Sequence, residues 1–333
     1  MIVFAIESSC DETAAAVVKD QKEVLSSVVS SQIDTHKQFG GVVPEVASRL
    51  HVENISTVIS QAIEDSGLGW EDIDLISVTQ GPGLIGCLHV GVQAAKTLSL
   101  LFDKPLVGVN HLAGHIYANK LDTELKFPLL ALLVSGGNSE LIYMEDENSF
   151  EILGETQDDA IGEAYDKVAR VLNLGYPGGP KIDKLARQGQ PIYHLPKPRA
   201  QGEYDFSFSG LKSGVLQFVS RMERQNETWK MEDLAASFQE TALEEIFEKV
   251  RKAIANYPQL KQMIVGGGVS ANSRLREKVV ELAKEHPNME FNVPPMSCCT
   301  DNAAMIAIAG EIAYNNGRRS PIDLGADASM EIQ

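Results

Sequence analysis

Short apolar runs at 2–6, 14–18, 75–78, 129–134 and 263–265 alternate with longer segments of helical periodicity, of which 46–63 and 234–255 are the clearest. A short apolar run bounded by turn residues reads as a buried strand, whereas apolar residues recurring every three or four positions read as one face of a helix. Strands interleaved with helices in this way require an α/β fold with two sheets. The pattern also echoes itself. Phe4-Ala-Ile-Glu-Ser-Ser-Cys-Asp-Glu-Thr-Ala14 and Leu132-Leu-Val-Ser-Gly-Gly-Asn-Ser-Glu-Leu141 each run apolar strand, short polar loop, second strand. Such units are common and the residue identity is low, but the echo is what a duplicated lobe leaves behind. With 333 residues the chain is long enough for two lobes, each with its own core.

Charge and cysteine content narrow the function classes. Twenty-nine basic residues against 46 acidic give a formal net charge of −17, which repels a polyanionic partner at long range. Nucleic acid could still bind through a local patch. The four cysteines, Cys10, Cys87, Cys298 and Cys299, are too few and too badly spaced for a secreted disulfide scaffold, so a reducing cytosol fits best. Residues 1–6 lack a basic n-region and break into Glu7-Ser8-Ser9 too early for a signal peptide, and no apolar run approaches a membrane span. The expected location is the cytoplasm. Low-complexity segments are absent, and the long loop-rich stretch 189–210, with Pro191, Pro196 and Pro198, is expected to be an exposed functional connection.

The chemistry is concentrated in two histidines four residues apart, in Asn110-His-Leu-Ala-Gly-His115. On a helix the i, i+4 spacing puts both imidazoles on one face, where one cation can bridge them. An acidic side chain from elsewhere, Asp301 in Cys299-Thr-Asp-Asn302, completes the set and leaves positions open for substrate. A His pair at this spacing is also often a mere surface or core pair. The segment argues for a site, because the apolar strand 105–109 runs into Asn110, which can cap the helix carrying both histidines.

Three glycine-rich turns offer ligand contacts. Val134-Ser-Gly-Gly-Asn138 follows a strand, and its glycines let backbone amides approach an anion, unless it is only a tight hairpin turn. Val265-Gly-Gly-Gly-Val-Ser-Ala-Asn272 precedes a helix expected to begin near Ser273 and gives room for a flat ring or a phosphate; the plain alternative is a flexible connector. Gly175-Tyr-Pro-Gly-Gly-Pro180 lies between two helical patterns, one with Asp166 and the other with Asp183, and reads by itself as a turn. None matches the Walker spacing or the dinucleotide fingerprint, so another nucleotide architecture is needed.

Together with Glu7-Ser-Ser-Cys-Asp-Glu-Thr13, Gly40-Gly-Val-Val-Pro-Glu-Val-Ala-Ser-Arg49, Gly81-Pro-Gly83 and Phe206-Ser-Phe-Ser-Gly-Leu-Lys212, these motifs resemble the TsaD family of tRNA N6-adenosine threonylcarbamoyltransferases, once labelled O-sialoglycoprotein endopeptidases. The matches run in family order along almost the whole chain. The resemblance implies an α/β actin- and Hsp70-like (ASKHA) ATPase fold, with two duplicated lobes and a nucleotide and metal cleft between them. It divides the chain at 1–125 and 126–333, with the final helix able to pack back on the first lobe. It implies transfer of the threonylcarbamoyl group from threonylcarbamoyl-AMP to the N6 amine of adenosine 37 in tRNAs that read ANN codons.

The same resemblance assigns His111, His115 and Asp301 to one divalent metal, Fe(II) or Zn(II). It assigns Val134, Ser135, Gly136, Gly137 and Asn138 to the phosphate and carbamoyl portion of the adenylate, and Asp166, Gly179, Asp183 and Asn272 to ribose and adenine. ATP or ADP with magnesium is a further possible ligand. Asp11 and Glu12 on the first turn project toward the same cleft, and Glu12 is the first candidate to orient the amine or accept its proton. Asn138 departs from many bacterial relatives, which carry His there, so only the backbone cradle carries over. No ligand is assigned to Cys298 or Cys299. The implied partners are tRNA, the paralogue TsaB, the ATPase TsaE and a TsaC-type enzyme that supplies the adenylate. Lys181, Lys184, Arg187, Lys197 and Arg199 could receive tRNA phosphates, although a solvated face explains them too.

Three other classes compete. A metalloprotease of the His-Glu-x-x-His type needs a glutamate where Leu112 stands. A sugar or acetate kinase of the same fold works with magnesium and has no need of a His/His/Asp site. A non-catalytic nucleic-acid scaffold fits poorly with the acidic balance.

Overall fold

The computed structural model describes residues 1–197 and 199–332; Pro198 lies outside them. The chain forms two compact units, Met1–Glu124 with Pro294–Gln333, and Leu125–Val293. In the first unit β1 (Ile2–Glu7), β2 (Glu12–Lys19) and β3 (Glu23–Ser31) precede the short helix α1 (Ile33–His36) and the long α2 (Pro44–Ser66). Then come β4 (Leu75–Gly81), α3 (Ile85–Phe102), β5 (Leu106–Asn110) and α4 (His111–Tyr117). The second unit holds β6 (Leu129–Val134), β7 (Ser139–Met144), β8 (Glu151–Glu155), α5 (Ile161–Val171), α6 (Gly178–Ala186), α7 (Ser209–Gln225), α8 (Met231–Asn256), β9 (Gln262–Gly266), α9 (Ser273–Glu285) and β10 (Glu290–Asn292). The last helix is α10 (Ala303–Asn315), which packs on β1, β2 and β4 of the first unit.

Both sheets have five strands, in the orders β3-β2-β1-β4-β5 and β10-β9-β6-β7-β8. Read from the other edge the second becomes β8-β7-β6-β9-β10, the same order shifted by five strands. The pairing matches as well: β1 and β6 each have an antiparallel neighbour, β2 or β7, and a parallel neighbour, β4 or β9. The faint sequence echo therefore falls on equivalent hairpins, β1–β2 and β6–β7. Both central strands are almost wholly buried, as strands covered on both faces are, which is why their sequences read as continuous apolar runs.

Separate cores follow. Phe4, Ile6, Val17, Ile76, Val78 and Val92 belong to one, and Leu132, Val134, Tyr165, Phe206, Phe238 and Phe247 to the other. The expectation that no apolar run approaches a membrane span needs correcting, because α3 is long and apolar enough by length and composition. Only a stripe of it, Cys87, Leu88, Gly91, Val92 and Ala95, is buried, and it packs against α2 and β4. Its helical period was hidden because the faces outside that stripe are apolar too.

The fold sets where chemistry gathers. Strands β1, β4 and β5 run parallel, so their C-terminal ends bring Glu7, Thr79 and the start of α4 to one edge of the first sheet. That edge is where open α/β sheets place ligands. In the second unit the corresponding turn after β9 needs Gly267, whose φ is +88° and where a Cβ would lie 2.5 Å from the Val134 carbonyl oxygen.

Candidate functional site

Strand β5 delivers Asn110 to the start of α4, where its Oδ1 accepts hydrogen bonds from the Leu112 and Ala113 amides at 2.8 and 3.3 Å. This is the cap expected from the sequence. Asn302 does the same for α10, accepting from the Met305 amide at 3.0 Å, and so pins Asp301 one residue before it. Gly114, between the two histidines, lets α4 lie tightly on α10: a Cβ there would meet Ile306 Cδ1 at 3.0 Å.

The result is a cluster. His111 Nε2 lies 3.4 Å and His115 Nε2 3.1 Å from Asp301 Oδ1, and one ligand atom from each of the three residues lies within 4.8 Å of the others. Ligand atoms about 2.1 Å from a tetrahedral ion sit about 3.4 Å from one another. Two imidazole nitrogens and one carboxylate oxygen suit zinc or iron, and the donor set therefore fits a divalent metal. His115 Nδ1 is buried with no hydrogen-bond partner among the described residues, so no protein group behind the ring holds a proton on Nδ1.

Behind His111 sits Glu7, fully buried at the end of β1. Its Oε2 accepts from His111 Nδ1 at 3.0 Å and from the Thr79 hydroxyl, and its Oε1 accepts from the Ser9 amide at 2.5 Å. Burial opposes ionisation of Glu7, yet the charge and hydrogen bond of His111 outweigh it and hold the carboxyl below its usual value. Burial likewise opposes protonation of His111, but the Asp301 and Glu7 carboxylates lift it well above the usual imidazole range. Asp301 is held well below the usual carboxylate range by His111 and His115, against its burial.

The β1–β2 turn carries Asp11 and Glu12. Its backbone is fixed by His51 Nε2, 2.9 Å from the Cys10 carbonyl, and by the Gln32 amide, which donates to the Asp11 carbonyl at 3.0 Å. Glu12 Oε1 accepts from Ser31 Oγ at 3.1 Å. Burial first, then the negative charges of Asp11 and Asp301, push the Glu12 carboxyl up to about 9. At pH 7 in the metal-free protein it is thus neutral, a hydrogen-bond donor and not a base. This bears directly on the expectation that it accepts a proton.

The other expected site residues lie in the second unit. In the 134–138 loop the Gly137 and Asn138 amides both point at Ser135 Oγ, at 3.3 and 2.9 Å, so an anion there competes with that hydroxyl. Asn138 Nδ2 donates to Glu140 Oε1 at 3.1 Å. Asp166 accepts from the Gly178 amide at 2.6 Å, tying α5 to the start of α6, while a Cβ on Gly179 would meet nothing within 4 Å. Asp183 accepts from Ser273 Oγ at 2.6 Å and Arg187 Nη2 at 2.8 Å. Asn272 caps α9 through Oδ1, on the Leu275 amide at 3.0 Å, and donates from Nδ2 to Gln239 Oε1 at 2.8 Å. Asp166, Asp183 and Asn272 thus gather around α5, α6 and α9, each already engaged within the unit.

A family model described as TsaD, tRNA N6-adenosine threonylcarbamoyltransferase, matches residues 23–308. A Bacillus cereus protein named tRNA N6-adenosine threonylcarbamoyltransferase is 52% identical over 333 residues, covering 100% of this chain and 97% of that protein. A Geobacillus thermodenitrificans protein of the same name is 53% identical over 331 residues, covering 99% of this chain and 96% of that one. The chain belongs to this family. Among solved structures, T. kodakarensis HypF aligns with a TM-score of 0.63 at 14% identity, over 95% of this chain and 48% of that one. Component A of the (R)-2-hydroxyglutaryl-CoA dehydratase of Acidaminococcus fermentans aligns at 0.55 with 12% identity, over 94% and 99%. These two likenesses carry the fold, two duplicated lobes of the ASKHA class.

Within this threonylcarbamoyltransferase, sequence reasoning passed over Glu7, Thr79 and His51, although Glu7 opens one of the family motifs. Of the basic stretch, Lys181 Nζ donates to the Leu174 carbonyl at 2.7 Å, Arg187 pairs with Asp183, and Lys197 lies 3.5 Å from Glu248. The side chain of Asn272 has a structural part that can be measured apart from any ligand. Asn272→Ala removes the α9 cap and one of the two hydrogen bonds to Gln239 Oε1, leaving that from the Tyr165 hydroxyl, and is expected to cost about 1–2 kcal/mol in a denaturant titration. Asn272→Ser keeps a capping oxygen and recovers about half of that. Equal losses for both variants would show that the cap contributes nothing.

Proposed function

We propose that this chain transfers a threonylcarbamoyl group from threonylcarbamoyl-AMP to the N6 amine of adenosine 37 in tRNAs that read ANN codons. The observation that carries the reading is the His111–His115–Asp301 cluster, backed by the buried Glu7, in a chain 52% identical along its whole length to tRNA N6-adenosine threonylcarbamoyltransferases.

The reaction joins a weak amine to an acyl group that is already activated as a mixed anhydride, with AMP as leaving group, so no covalent enzyme intermediate is required. His111, His115 and Asp301 hold one Fe(II) or Zn(II), which when bound supplies Lewis-acid polarisation of an acyl or phosphate oxygen. Glu12, on the same edge of the first unit, orients the amine and holds a proton at its carboxyl. It can take the proton from the amine only in its ionised form. The loop of Val134, Ser135, Gly136, Gly137 and Asn138 receives the phosphate and carbamoyl portion, and Asp166, Gly179, Asp183 and Asn272 the ribose and adenine. For Asp183 this means exchanging its bonds from Ser273 and Arg187 for ribose hydroxyls.

With so acidic a chain, tRNA docks through local basic groups such as Lys184 and Arg199 and through partner subunits, TsaB and TsaE, while a TsaC-type enzyme supplies the adenylate in the cytoplasm. The test combines the purified chain and its partner subunits with threonylcarbamoyl-AMP and unmodified tRNA, and measures modified adenosine in the nucleoside digest. Modified adenosine is expected, with one AMP released per transfer. Its absence, with labelled phosphate moving from ATP to a small hydroxylated acceptor instead, would favour the kinase.

A further inference from the structure

We infer that Glu7 is a positioning residue of the metal centre: its carboxylate sets which nitrogen of His111 faces Asp301. The inference rests on His111, His115 and Asp301 being the ligands. Glu7 accepts on both oxygens, from the Ser9 amide on Oε1 and from Thr79 Oγ1 and His111 Nδ1 on Oε2. The Ser9 amide can only donate and the Thr79 hydroxyl donates as well, so Glu7 meets donors on both oxygens, as an ionised carboxylate does. An ionised carboxylate has no proton to give, so the hydrogen between it and His111 must sit on Nδ1. With Nδ1 holding that proton, Nε2, which faces Asp301 Oδ1 at 3.4 Å, is the nitrogen that can give up its proton and offer a lone pair to a metal. Ser9 Oγ, 3.2 Å from Nδ1, holds the ring in the same orientation.

The arrangement matches the carboxylate–histidine–metal pattern in which the outer partner fixes tautomer and ring angle and raises the basicity of the ligand. It is specific to one histidine, since His115 Nδ1 has no such partner among the described residues. A glutamine at position 7 cannot replace the carboxylate. With its oxygen toward His111, its amide N–H meets the Ser9 N–H. Turned over, it donates to His111 Nδ1, moves the ring proton to Nε2 and removes the ligand lone pair.

The experiment measures Co(II) and Zn(II) affinity of the chelator-stripped full chain, by competition with a chromophoric chelator and by the Co(II) absorption spectrum. Wild type is expected to bind one ion and His115→Ala and folded His111→Ala to lose it. Glu7→Gln, folded by circular dichroism, is expected to weaken Co(II) binding about 10–100-fold and to alter the Co(II) bands. Thr79→Val, which removes only the brace on Oε2, weakens it by a smaller factor and decides the matter if Glu7→Gln fails to fold. Ser26→Ala, which deletes a buried hydrogen bond to the Ala62 carbonyl elsewhere in the unit, leaves affinity within about twofold. Folded Glu7→Gln or Thr79→Val binding Co(II) as tightly as a wild type that depends on His111 overturns the role of Glu7 alone. A wild type that binds no ion overturns both this inference and the metal reading beneath it.

Discussion

His115→Ala lowers divalent-metal affinity by at least about 100-fold and reduces formation of modified adenosine in the reconstituted reaction to background. The magnitude follows from losing one of three ligands, when loss of an outer partner of a ligand alone costs 10–100-fold. His115 is the better position for this test than His111. Removing His111 also strips the buried Glu7 of its charged partner, and an unpaired buried carboxylate costs about 3–5 kcal/mol by itself. A loss of activity in His111→Ala is then open to trivial explanation. The His115 ring bonds to Asp301 at 3.1 Å and packs edge-on against His111, and its Nδ1 bonds to nothing described, so its removal leaves a small cavity beside a carboxylate that is itself partly exposed to water. The expected loss in a denaturant titration is about 1–3 kcal/mol, well short of unfolding a chain of this size. Metal titration and nucleoside analysis on the same preparation check it. A folded His115→Ala that keeps wild-type metal affinity would remove His115 from the ligand set.

How much of this was legible beforehand differs by element. The central strands and the long helices were readable because burial on both faces of a strand, or on one face of a helix, leaves a period in the sequence. The duplication showed only as an echo, since what the two units share is strand order and pairing, which constrain residue identity little. Helix α10 has apolar residues nearly all round, so its own periodicity gave no sign of which unit it would join, and only the family resemblance suggested the first. The pairing of His111 with His115 is local and visible. Asp301 came from a motif, and its distance to both histidines depends on α4 lying against α10. Glu7 and His111 are 104 positions apart and meet only because β1, β4 and β5 are parallel and in register, which no local pattern encodes. Of the expected ligand residues of the second unit, 134–138 lie at the end of β6 and in the turn after it, Asp166 and Asp183 within α5 and α6, and Asn272 just before α9, as their sequence patterns suggest; their internal partners, Ser273, Arg187 and Gln239, come from packing of α6, α8 and α9.

The second large effect is on stability. Glu12→Gln makes the chelator-treated protein more stable, by an amount that grows with pH. The carboxyl of Glu12 is raised from 4.5 to about 9, by burial and then by the charges of Asp11 and Asp301. Between those two values the folded protein holds a proton that the unfolded chain has released, so raising the pH favours unfolding. The favourable contribution of the neutral acid is complete below about 4.5 and is lost progressively as pH climbs toward 9. One group of this kind changes stability by at most about 1.4 kcal/mol per pH unit, hence at most about 3.4 kcal/mol at pH 7. Glutamine keeps the shape and an oxygen for the Ser31 hydroxyl but carries no proton to lose. For unfolding of the whole chain the Tm of the variant should therefore exceed that of the wild type by about 1 °C at pH 5 and by about 5 °C at pH 7. Thermal unfolding at pH 5, 6, 7 and 8 measures it. Parallel Tm curves for the two proteins would mean that Glu12 is ionised when folded and free to act as a base without a metal beside it; a widening gap means that it starts as an acid, and that its protonation state is set by whatever charge is placed next to Asp301.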